Sequence, residues 1–195
     1  MIEVEKKFFI SPEQEKLLIQ DAEFVGEKVF VDEYFDYSNW SLTTKDTWLR
    51  MRGDRWELKM PLNIGPDRMA DQYREIENES EIIIELGFDN TKSLVDNLKG
   101  LGIEKFCRIE TTRRKYKKNG FTIDIDRMDF GYDICEIEKM VNSEHEIEPA
   151  IKDILEYAKT AGLTSARVRG KVLEYLRRNN PAHMEAIEKS IGRPD

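Results

Sequence analysis

Four pairs of acidic residues at a spacing of two recur along this chain: Glu3/Glu5, Glu75/Glu77, Asp124/Asp126 and Glu136/Glu138. Most stand in stretches where apolar and charged residues alternate. Ile2, Val4 and Phe8 alternate with Glu3, Glu5 and Lys7, and Ile123 and Ile125 alternate with Asp124 and Asp126. A period of two is that of a strand, whose successive side chains point to opposite faces. Carboxylates at i and i+2 then stand about 6–7 Å apart on one face, close enough for both to approach metal ions. Basic residues obey the same parity on other strands, at Lys7, Arg50/Arg52, Lys59 and Arg113/Lys115. A solvated sheet face ordinarily mixes in Ser, Thr and Gln and intersperses its signs. Here the signs are sorted by strand. A sheet curled into a barrel with its charged faces inward accounts for that sorting. Its apolar outer face would be covered by helices at 12–21, 80–101 and 146–191. Enclosed charges must be paired or must bind counter-ions. Carboxylates hold Mg²⁺ or Mn²⁺, and Arg and Lys hold phosphate oxygens, so a channel with an acidic and a basic wall suits a metal–polyphosphate complex.

The remaining signals place these faces on one α+β domain spanning residues 1–195, strands first and helices last. Ser11-Pro12-Glu13 reads as a helix start, with the helix running to about Asp21. Residues 24–37 read as a long strand and 38–41 as a turn. Trp48, Arg50 and Arg52 share one parity, opposite Leu49 and Met51. After Gly53-Asp54-Arg55, Glu57 and Lys59 lie opposite Trp56, Leu58 and Met60. Residues 61–71 form a loop, and Tyr73, Glu75 and Glu77 share the next face. Helices are expected from Ser80 and over 90–101, and a strand over 103–118 ending at the hairpin signal Asn119-Gly120. The period turns helical from Glu146 to Gly162, and two more helices fit 165–178 and 181–191.

Composition excludes several classes. A net charge of −8 and a pI near 5.1 oppose non-specific binding to nucleic acid or anionic membrane. No apolar run approaches the roughly 18 residues of a membrane helix. Met1 leads straight into a charged strand, so no signal peptide is expected; a cytoplasmic protein, and a monomer, is the expectation. Cys107 and Cys135 fit no metal spacing and read as buried reduced thiols. His145 and His183 lie among polar residues outside any cluster, which points to catalysis without histidine.

Glu3-Val4-Glu5-Lys6-Lys7 is the ExExK signature of the CYTH superfamily, the triphosphate tunnel metalloenzymes, and the resemblance extends over nearly the whole chain. It continues through Trp48-Leu49-Arg50-Met51-Arg52, Trp56-Glu57-Leu58-Lys59, Tyr73 to Glu77 and Thr112-Arg113. It then takes in Ile123 to Asp126, Asp129-Phe130-Gly131-Tyr132, Glu136-Ile137-Glu138, Lys171 and Tyr175-Leu176. Within the superfamily the chain is most similar to the animal thiamine triphosphatases, through Trp48, Asp129 to Tyr132 and the late Lys171 helix. It is shorter at 61–71 and around 87–102, and it ends earlier.

The resemblance implies an eight-stranded antiparallel tunnel and Mg²⁺-dependent hydrolysis of a triphosphate to diphosphate and phosphate. It implies that Lys7, Arg50, Arg52, Lys59, Arg113 and Lys171 hold the triphosphate. Glu3, Glu5, Asp124, Asp126, Glu136 and Glu138 would hold one or two divalent ions, Mg²⁺ or Mn²⁺. Water attack on the terminal phosphorus would be oriented by a metal, Glu75 or Glu77, and Lys59 would polarise the water or the leaving group. A tryptophan at a strand start is ordinarily core, yet the parity of Trp48 turns it to the charged face. In thiamine triphosphatases the matching residue stacks on the cationic thiazolium. An inorganic tripolyphosphatase would use the same tunnel without an organic head group. A cyclase fits less well, since nothing suggests an adenine pocket. A non-catalytic polyphosphate or nucleotide binder would need fewer carboxylates.

Overall fold

Eight antiparallel strands close into a barrel in the order β1-β5-β4-β3-β2-β6-β7-β8. They are β1 (Ile2–Phe8), β2 (Glu23–Asp36), β3 (Trp48–Arg52), β4 (Arg55–Pro61), β5 (Asp71–Ile76), β6 (Glu104–Lys118), β7 (Phe121–Met128) and β8 (Tyr132–Val141). This computed structural model describes residues 2–62, 71–164 and 168–192, apart from the side chains at 71 and 72. The 61–71 loop lies mostly outside the described residues, but Pro61 closes β4 and Asp71 opens β5.

Closure is made by β1, which pairs with β5 on one side and β8 on the other. Register decides which charges meet inside. Glu5 stands opposite Glu138 and Lys7 opposite Glu136. Asp124 pairs with both Glu136 and Lys115, and Arg113 with Asp126. A slip of one residue would turn these side chains out and the apolar set in, so the apolar face fixes the charged one. At the β6–β7 hairpin, Asn119 and Gly120 take φ 51 and 82, the positive values that a two-residue turn of this hand needs.

Helices cover the outside in three groups. Helix α1 (Pro12–Leu18) and α4 (Ile147–Thr160) lie over β1, β7 and β8, where Val4, Ile123, Cys135 and Ile137 meet Ile151, Ile154 and Ala158. Helices α2 (Glu79–Glu85) and α3 (Leu94–Leu101) cover β3 and β4, packing Ile82, Leu94 and Leu98 on Leu49 and Leu58. Helices α5 (Lys171–Asn179) and α6 (Pro181–Ile191) lie over Ile109 and Ile134 through Leu173, Leu176 and Ile187. Each fully buried aliphatic side chain contributes about 1.5–3 kcal/mol. Cys107 and Cys135 are buried and free.

Several helices start later or stop earlier than the sequence suggests. Helix α1 ends at Leu18, because Ile19 to Ala22 turn to enter β2. Helix α3 starts at Leu94, where the Ser93 hydroxyl accepts from Asp96 N–H. Expected helix residues 165–167 lie outside the described residues, and Val168 to Gly170 are not helical. Gly170 is the extended N-cap, φ −62 and ψ 153, which puts Lys171 in the first turn of α5.

Candidate active site

The interior faces enclose a cavity of about 280 Å³ lined by seven carboxylates and seven cationic side chains. Barrel order groups the acidic strands β7, β8 and β1 as one arc, with β4, β3 and β2 across from it. On the acidic arc, oxygen atoms of Glu3, Glu5 and Glu138 lie within 4.8 Å of one another. Those of Asp124, Glu136 and Glu138 form a second such group, so Glu138 belongs to both. Burial, reinforced by Glu3, Asp124 and Glu136, pushes the Glu138 carboxyl up to about 9. Burial and Glu5 raise Glu3 to about 7. Glu136 goes the other way: Arg113 and Lys7 outweigh its burial and bring it to about 2. Asp124 Oδ1 is buried with no hydrogen-bond partner among the described residues. Carboxylates that cannot all ionise, together with a bare buried oxygen, are a site short of a cation. Its donors are all hard oxygens, which suits a divalent ion of the Mg²⁺ or Mn²⁺ type.

Arg113 supplies part of the missing charge. Its Nε reaches Asp126 Oδ1 at 2.6 Å, its Nη2 reaches Asp126 Oδ2 at 2.6 Å and Glu136 Oε2 at 2.7 Å, and its Nη1 meets Asp124. Asp126 is thus taken up by Arg113 and stands in neither oxygen cluster, unlike the other five expected metal ligands. Lys115 Nζ bonds Asp124 Oδ2 at 2.9 Å.

The opposite wall is basic. Arg50 is paired with Glu57 and lies 3.8 Å from Asp32. Arg52 binds Asp32 through Nε at 2.6 Å and Nη2 at 3.0 Å. Lys59 is paired with Glu75 and stands 5.8 Å from the centre of the Tyr73 ring. Burial and Arg50 would discharge Lys59, but Glu5, Glu75 and Glu3 win and raise it. The same pairing holds Glu75 ionised against its burial. Lys171 reaches in from α5 to Asp32 and lies 3.3 Å from Thr111 Oγ1, and burial lowers it to about 8 against the pull of Asp32. Glu77 lies just past β5, exposed where it borders the cavity. Trp48 and Tyr73 line the cavity as well, and the Trp48 ring meets Tyr34 edge-on.

A family model described as the CYTH domain matches residues 1–169. The chain belongs to the CYTH family. Thiamine-triphosphatases of Macaca fascicularis and Homo sapiens are each 29% identical to it over 208 residues, covering 96% of this chain and 89% of theirs. A Pyrococcus horikoshii protein of 21% identity has the same fold, with a TM-score of 0.68 over 91% of this chain and 99% of its own.

In this CYTH barrel the expected site residues converge on one cavity, with Asp124 and Asp126 buried behind Arg113. Sequence reasoning missed Asp32, Tyr34 and Glu57. Parity puts Asp32 and Tyr34 on the face of Asp36 on β2, and Glu57 on that of Lys59 on β4, but parity marks a face without singling out a residue on it. Each is a single acid or phenol without the i, i+2 partner that marked the other strands.

Proposed function

We propose that this protein hydrolyses thiamine triphosphate to thiamine diphosphate and phosphate with a divalent cation, Mg²⁺ or Mn²⁺. The observation that carries this reading is one cavity with two linked carboxylate clusters on one arc and Arg50, Arg52 and Lys59 across from them. Membership of the CYTH family and the thiamine-triphosphatase relatives support it.

Phosphoryl transfer asks a protein for positioning and charge neutralisation more than for covalent work. Arg50, Arg52, Lys7, Lys59, Arg113 and Lys171 bind the phosphate oxygens, the guanidinium groups in bidentate fashion. Glu3, Glu5, Asp124, Glu136 and Glu138 hold the cation, with Asp126 fixing Arg113 beside them. When bound, the cation neutralises charge on the phosphate oxygens. Lys59 keeps its proton, so it acts as a fixed cation that stabilises leaving oxygens or polarises the water. Glu75, kept ionised, accepts from the attacking water and orients it, and Glu77 adds negative charge at the rim. Trp48 offers its ring to the thiazolium, a contact worth about 0.5–2 kcal/mol.

Phosphate release from thiamine triphosphate, tripolyphosphate, ATP and GTP, each with and without Mg²⁺, tests this reading. The expected result is Mg²⁺-dependent release with the highest kcat/KM on thiamine triphosphate. Release that persists in full in EDTA removes the metal assignment. A preference for tripolyphosphate replaces the function with inorganic tripolyphosphatase.

A further inference from the structure

Asp46 is fully buried and follows the 3₁₀ turn Thr43–Lys45 with φ 58 and ψ 24. That left-handed conformation is uncommon for a residue with a side chain, and Asp and Asn adopt it most readily. Its backbone N–H closes the turn on Thr43 O at 2.9 Å. Its carboxylate does something else. Oδ1 accepts from Trp48 Nε1 at 2.8 Å and from the Tyr73 hydroxyl at 3.1 Å. Trp48 lies on β3 and Tyr73 on β5, with β4 between them. One oxygen therefore ties two rings across an intervening strand, and both rings line the cavity. Lys59, on the strand between, stands against the Tyr73 ring, so the aromatic pair adjoins the basic wall.

Two physical effects follow. An indole has a single donor, and holding it fixes the rotation of the ring. An anion on the N–H edge also pushes electron density toward the ring face, which strengthens its attraction for a cation. We infer that Asp46 is a positioning residue that sets Trp48 and Tyr73 as an aromatic seat for a cationic organic head group. It thereby determines the preference for head-group-bearing triphosphates over inorganic ones. The inference rests on the thiamine triphosphate reading above and adds the residue that builds its selectivity.

The test compares kcat/KM for thiamine triphosphate and tripolyphosphate in the full chain and in two variants. Asp46→Gly removes the carboxylate while suiting the left-handed backbone. Asp46→Asn keeps an acceptor oxygen at the same place and removes only the charge. The ratio of the two kcat/KM values should fall about fivefold or more in Asp46→Gly, within the range of a lost cation–π contact. Asp46→Asn should retain an intermediate ratio. It should also stay folded by circular dichroism, so that the comparison holds if the glycine variant does not fold. A wild type that prefers thiamine triphosphate, with an unchanged ratio in both variants, overturns the role of Asp46 and leaves the function standing. A wild type without that preference overturns the function, and the inference with it. An equal loss on both substrates makes Asp46 a folding residue alone and also overturns the inference.

Discussion

The carboxylate of Asp32 on β2 grips the guanidinium of Arg52 on β3 with two hydrogen bonds, Nε to Oδ1 at 2.6 Å and Nη2 to Oδ2 at 3.0 Å. The same carboxylate receives Lys171 from α5 and lies 3.8 Å from Arg50, and it is fully buried. Its pairing with Arg52, Lys171 and Arg50 overcomes its burial and holds it well below the usual carboxylate range. Three cations of the basic wall thus share one anchor. Asp32→Asn should lower kcat at least tenfold through their loss of orientation, while KM does not rise, because one negative charge has left the phosphate site. It should also cost about 3–5 kcal/mol of stability, as breaking a buried ion pair does. Steady-state kinetics and urea titration check both. A KM that rises with unchanged kcat would contradict the anchoring role.

Proton linkage should mark the acidic arc. At neutral pH Glu138, raised to about 9, carries a proton and Glu3, raised to about 7, is about half protonated, and a divalent cation bound there would displace those protons. Affinity for Mg²⁺ should therefore climb from pH 6 to pH 9, with proton release on binding. Calorimetric titration in buffers of different ionisation enthalpy measures that release directly. Identical heats in all buffers would place the cation elsewhere.

Arg113 stands among Asp124, Asp126 and Glu136. Arg113→Met leaves two buried carboxylates, Asp124 and Asp126, and the partly buried Glu136 without that cation, so thermal stability should fall by several kcal/mol. A divalent ion binding those oxygens should restore part of the loss. The Mg²⁺-induced rise in Tm should therefore be larger in the variant than in the wild type. A smaller rise would show that Arg113 does not compete for the metal's oxygens.

Much of this arrangement was legible because strand parity converts directly into faces. Glu3 and Glu5, Arg50 and Arg52, and Glu136 and Glu138 could be assigned inward from spacing alone, and the registers of β1, β3 and β8 put them there. Asp32 could not be read this way. It follows Phe30 and Val31 and precedes Glu33, so neither its sign nor its neighbours single it out; only the β2–β3 register brings it beside Arg52. Asp46 lies in a turn, where no period exists, and its role depends on rings carried by two strands, β3 and β5, that only the barrel order sets one strand apart. His183 illustrates a third limit. It stands between Ala182 and Met184, shortly after the polar run Asn179-Asn180, so the sequence does not say which way it faces, but α6 packs it against the 3₁₀ turn, where it is fully buried and stacked on Trp40 at 4.7 Å.

That burial of His183 yields a stability prediction. Its Nε2 lies 2.7 Å from Thr43 Oγ1, and the Thr43 hydroxyl donates to Asp36 Oδ2 at 2.6 Å. The one hydroxyl proton being spent on Asp36, the imidazole must donate through Nε2 and keep Nδ1 bare. Nδ1 is buried with no partner among the described residues. A second proton would sit there without an acceptor, and burial accordingly lowers the His183 pKa to about 4 despite the Asp36 charge. The unfolded chain takes up that proton near pH 6.5, the folded chain only near 4. The neutral ring's contribution to stability is therefore complete above pH 6.5 and is lost as pH falls from 6.5 to 4. The loss amounts to about 3 kcal/mol. Urea unfolding at pH 7 and pH 4.5 should show it. His183→Gln should be less stable at pH 7, because a stacked ring is gone, yet should lose less between the two pH values. Equal losses in variant and wild type would assign the acid sensitivity to other groups.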